Sequence, residues 1–80
     1  MKARLDREIR HALLISKAVQ IANRHGLHAV TAESVSMAAG CSVSHVRKHF
    51  RSRGMILRAV ASDDRLNAKG RNDAQELGLL

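Results

Sequence analysis

Residues 31–50 read TAESVSMAAGCSVSHVRKHF, two short helical patterns on either side of a glycine. Thr31 stands where a first helix would begin, and its hydroxyl can accept a bond from an N–H left free there. Val35, Ala38 and Ala39 follow at three- and four-residue spacing, giving that helix one apolar side. Gly40 falls where the helix must stop, and glycine takes the left-handed conformation of a sharp turn without a Cβ penalty. Ser42 offers a second cap. Behind it Val46 and Phe50, four apart, share one side of a second helix. Ser44, His45, Arg47, Lys48 and, at the flank, His49 occupy the rest. One side suits a core and the other suits anions. A basic helix after a short glycine turn is the helix-turn-helix arrangement, whose second helix enters the major groove of DNA.

The composition fits that reading. Eighty residues make one small domain, able to bury about 60–65% of its unfolded surface. The chain has one phenylalanine, no tryptophan or tyrosine and no proline. Its core must therefore be aliphatic, and nothing interrupts an all-helical fold. Residues 1–58 hold 11 basic and 3 acidic side chains, whereas residues 59–80 hold 3 and 4. A body at +8 with a tail at −1 suits a polyanionic partner. Cys41 is the single cysteine, so no internal disulfide exists, and it reads as a buried structural thiol. No signal peptide or membrane-length apolar run is present, and the cytoplasm is the expected location.

Outward from the central stretch, the pattern is helical throughout. Residues 1–4 are expected to fray. From Leu5 to Arg24, Leu5, Ile9, Leu13, Leu14, Ala18, Val19, Ile21 and Ala22 form one apolar stripe ending at Gly26. Arg4 with Glu8, and Asp6 with Arg10, stand at ion-pair spacing, worth about 0.3 kcal/mol each. Leu27 and Val30 should plug the core from a short connector. The second and third helices are expected over 32–39 and 43–50. Ser52 should cap a fourth, running from Arg53 to about Ala68, with Met55, Ile56, Ala59, Val60 and Leu66 inward. Asn72 is a candidate cap for a short segment reaching Leu77, beyond which Leu79 and Leu80 end the chain. The expected organisation is a helix-turn-helix domain over 1–69 and a tail over 70–80. The fold class is an all-α bundle of four to five helices.

These residues also carry a family resemblance. Gly26, Thr31, Ala39-Gly40, Ser42, His49-Phe50 and Ser52-Arg53 fall without a gap in the register of the DNA-binding domain of the tetracycline-repressor (TetR) family. Leu14, Ile15, Ala18 and Ile21 match the apolar positions of that family's first helix, and the likeness covers about residues 10–60. The chain departs from the pattern at Arg47, where the family has a tyrosine that reaches a phosphate, and at Ala22 and Gly54. It also has no room for the large C-terminal ligand-binding domain. The resemblance therefore implies DNA binding without a small-molecule inducer.

The expected DNA-binding residues are Thr31, Glu33, Ser42, Val43, Ser44, His45, Arg47, Lys48, His49 and Arg53. Val43 could meet a thymine methyl, and Ser44 could bond several bases. Arg47 could fork onto guanine or brace a phosphate. Lys48 and His49 suit the backbone, and the resemblance puts Arg53 near a phosphate. Glu33 could accept from a cytosine amino group, or simply complement the helix dipole. His25 with His28, and Cys41 with His45 and His49, read as ordinary side chains rather than metal ligands, so no cofactor is expected. No paired carboxylates, phosphate-cradling glycine loop or nucleophile motif suggests an enzyme. The expected function is a transcription regulator, a repressor, working on double-stranded DNA as a homodimer. The alternative is a small architectural or adaptor protein of a phage or plasmid.

Overall fold

The computed structural model describes residues 2–80, with side chains from Asp6 onward. Five α-helices are packed around one core: α1 Lys2–His25, α2 Ala32–Ala39, α3 Val43–His49, α4 Arg53–Ala61 and α5 Ala68–Glu76. A single 3-10 turn, Leu27–Ala29, joins α1 to α2. At 1.5 Å per residue α1 is about 36 Å long, close to the 38 Å longest dimension of the molecule. It packs against α2, α4 and α5.

The α1 stripe divides along its length. Leu14, Ala18, Val19 and Ala22 are buried, whereas Ile9 and Leu13 are 58% and 46% exposed. Ile9 and Leu13 lie away from the buried side of α1 and stay largely in solvent. Leu5 and Arg4 lie outside the described side chains, as Met1 lies outside the described residues. Asp6 and Arg10 form no ion pair. Leu27 and Val30 are fully buried, as their spacing implied.

The helix ends follow local chemistry. Thr31 and Ser34 form a reciprocal capping box: Ser34 N–H donates to Thr31 Oγ1 (3.0 Å) and Thr31 N–H to Ser34 Oγ (2.9 Å). Gly40 stops α2 at φ 71°, ψ 34°, and Cys41 N–H returns to the Ser36 carbonyl at 3.0 Å. Ser42 and Ser52 cap α3 and α4 by accepting from His45 N–H and Met55 N–H.

The fourth helix ends earlier than its pattern suggests. It stops at Ala61, where the Ser62 hydroxyl bonds back to the carbonyls of Arg58 and Ala59. Asp63 then accepts the Arg65 backbone N–H at 2.9 Å and both ends of its guanidinium, which turns the chain. That pair holds the Asp63 carboxyl down at about 2, through the side-chain bond first and the backbone bond second. The cap of α5 is Asn67, not Asn72: its Oδ1 accepts from Gly70 N–H at 2.8 Å. Asn67 is also tied to α1, because its N–H donates to Asn23 Oδ1 (2.9 Å) and its amide to the Asn23 carbonyl (3.2 Å). Within α4, Ile56 and Val60 are buried as expected, together with Leu57 and Ala61, whereas Met55 is 45% exposed. At the C-terminus Leu79 packs partly on the core, whereas Leu77 and Leu80 are exposed.

Val46 is fully buried and Phe50 is 4% exposed, so α3 is held by these two side chains. Phe50→Ala should cost about 3–5 kcal/mol, and Met37→Ala, at an 83% exposed position, less than about 0.5 kcal/mol. Urea denaturation followed by circular dichroism checks both; equal effects would refute the assignment of Phe50 to the core.

Candidate nucleic-acid interface

The capping hydroxyl and the left-handed glycine set where α3 starts, and Val46 and Phe50 set its rotation. With that side inward, Ser44, Arg47 and Lys48 face solvent. Neither Arg47 nor Lys48 forms an ion pair or side-chain hydrogen bond among the described residues. Among the described residues no carboxylate is bonded to them, so their charge is available to an external anion. Ser42 and Ser44 approach each other at 3.3 Å, between their hydroxyls, at the start of the helix. Val43 is half-buried.

The expected residues do not all behave alike. Thr31, Glu33, Arg47 and Arg53 line one shallow cleft, made by the starts of α2 and α4 and the end of α3. Within it, the Thr31 hydroxyl is engaged as a cap. Arg53 is turned toward its own protein: Nε donates to the Val30 carbonyl at 2.8 Å, and Nη2 to those of His28 (3.1 Å) and Leu27 (3.5 Å). It thereby locks the α1–α2 connector to α4. Glu33 is exposed in the first turn of α2, where the helix dipole favours it.

His45 and His49 lie on the other flank of α3, toward α1. Their ring centroids are 5.2 Å apart, and His49 lies 5.6 Å from His11. His11 in turn stacks on Phe50 at 4.7 Å with a 25° interplanar angle. The His49 pKa is lowered from 6.5, first by desolvation, then by His45, His11, Arg7 and Arg10. His11 is the residue that the sequence reading passed over. Its signal was present, since residues 11, 14, 15 and 18 keep the spacing of the buried stripe.

Residues 14–60 match the profile of the bacterial regulatory proteins of the tetR family, more than half of the chain. No curated protein and no solved structure matches it. Among the described residues, no helix is long and apolar enough to cross a membrane.

The lowered His49 pKa means that the unfolded chain takes up its proton first as the solution is acidified. Stability from this group is fully present above pH 6.5, the unfolded value, and is lost as pH falls through the lower folded value. Thermal melts between pH 7.5 and 5.5 should show a falling midpoint in the wild type and a flatter profile in His49→Gln. Identical slopes would contradict the placement of His49.

Proposed function

Because the chain belongs to the TetR family of bacterial regulatory proteins, a family of DNA-binding transcription regulators, we propose that it is a sequence-specific repressor that lays the exposed side of α3 in the major groove. The observation that carries this reading is the pair of unneutralised cations, Arg47 and Lys48, opposite the buried Val46 and Phe50. A helix so held presents a fixed row of donors, which is what base readout requires.

Within that geometry Arg47 forks onto guanine or grips a phosphate, and Ser44 bonds an adjacent base edge. Val43, half-buried, offers only its outer methyl to a thymine. Lys48, His45 and His49 meet the backbone. Glu33 stands where it can accept from a cytosine amino group. Thr31, Ser42 and Arg53 serve the interface through the backbone they fix. Oriented N–H groups and the Arg53 lock keep the starts of α2 and α4 in place against the strand. Occupation of a promoter then excludes polymerase. Acting on the chromosome or on a phage or plasmid places the protein in the bacterial cytoplasm.

One such helix reads only a few base pairs. Two copies on half-sites about 34 Å apart supply the specificity that a genome demands. The exposed Leu77 and Leu80, beside the partly packed Leu79, are the apolar surface nearest the end of the chain for such a homodimer.

Selection of bound sites from random duplexes should return a short motif repeated with two-fold symmetry. Against that motif Arg47→Ala should lower affinity by about 1–3 kcal/mol. A changed base preference assigns Arg47 to a base, and uniform weakening with a shallower salt dependence assigns it to a phosphate. Fluorescence anisotropy at fixed salt measures both; wild-type affinity in the variant would remove Arg47 from the interface.

A further inference from the structure

The basic side chains of α1 take no part in the reading above, yet they stand against α3. Arg7, Arg10 and His11 line an open cleft together with His45, Lys48, His49 and Arg51. The carboxylates lining it are Asp6 and Glu8, against four permanent cations. None of Arg7, Arg10, Lys48 and Arg51 forms an ion pair or side-chain hydrogen bond among the described residues. Packing cations on a concave surface without neutralising them costs the folded state and draws anions.

A divalent metal does not fit this chemistry. His45 and His49 stand at ligand spacing, but the surrounding arginines and lysine repel a cation. Among the described residues no group of three or more His, Cys, Asp or Glu side chains is arranged to hold a metal. A small anion is a poorer match than a strand, because the cleft is open and shares Lys48, His45 and His49 with the outer surface of α3. A sugar-phosphate strand leaving the groove beside Lys48 would run on to Arg10 and Arg7.

We propose that the α1–α3 cleft binds the DNA phosphate strand flanking the base pairs under α3, and that His49, set between His45 and His11, takes up a proton from solvent as the strand binds. The inference rests on the DNA-binding reading and extends it from the helix-turn-helix onto α1. In the free protein His49 lies against His45, His11, Arg7 and Arg10, and desolvation first and these neighbours second disfavour its charged form. Asp6 and Glu8 oppose this only weakly in number. A phosphate strand reverses the local field, so charged imidazolium becomes favourable and donates to phosphate oxygens. Each proton so linked strengthens binding by up to about tenfold per pH unit of acidification.

The test uses the whole chain and a 30-base-pair mixed-sequence duplex (about three helical turns), with anisotropy titrations at constant ionic strength from pH 8 to 6. Affinity should rise by about tenfold or more over that range, since at least one proton is linked. His11→Gln should flatten the dependence. Because His11 supports Phe50 and its variant can lose fold, the double variant Arg7→Gln/Arg10→Gln, at exposed helix positions, is run beside it. It should keep its melting behaviour, bind less tightly, and show a salt slope reduced by about 2. Imidazole resonances followed by NMR should show the His49 pKa rising on addition of duplex. A pH-independent affinity, an unchanged salt slope in the double variant, or a His49 pKa that rises with inorganic phosphate but not with duplex would each overturn the proposal. Wild-type protein that binds no duplex at any pH would instead remove the reading on which it rests.

Discussion

Everything on the outer surface depends on the burial of two side chains, Val46 and Phe50, from a helix too short to stand alone. Seven residues form about two turns, far below the length at which an isolated helix persists in water. The rotation of α3 about its axis is therefore set by what it buries. Val46 is wholly enclosed and Phe50 nearly so, and the remaining directions are left to Ser44, Arg47 and Lys48. A slip of one residue would carry Arg47 toward the core, where an unpaired charge is prohibitively costly. The apolar anchor and the cationic surface are thus two aspects of one constraint.

The long first helix makes that constraint possible. Its C-terminal half supplies Leu14, Ala18, Val19 and Ala22 to the core, and its N-terminal half leaves Ile9 and Leu13 exposed. His11 stands at the junction and closes over Phe50. The consequence is electrostatic as well as steric, because cations from α1 and α3 are brought face to face with little to neutralise them. Such an arrangement costs the folded state some stability, which an anion bound between the two helices would return.

Much of the fold is legible in the residues. Thr31, Gly40, Ser42 and Ser52 act locally, through a hydroxyl or a missing Cβ within three residues, and each sits where its chemistry places it. The fourth helix shows the limit. Leu66 stands at a helical spacing from Ala59, but between and beyond them Ser62, Asp63 and Asn67 hydrogen-bond nearby backbone and break the helix. Periodicity alone does not record that competition. In the candidate interface, the outward side of α3 follows from its pattern. The engagement of Arg53 with three carbonyls does not, because an arginine at a helix start looks the same in sequence whether it faces a phosphate or its own protein.

By itself the chain determined the number and nature of its helices in the central stretch, the site of the sharp turn, the family, and the excess of positive charge. These follow from spacing and from short-range hydrogen bonding, which act within a few residues. Only the tertiary structure decided that His11 meets Phe50 and His49, that Arg53 reaches back 23 positions to Val30, and that Asn67 joins Asn23 across 44. Contacts of that separation depend on how α1 crosses the later helices. That crossing is fixed by the shape of the whole core rather than by any one segment.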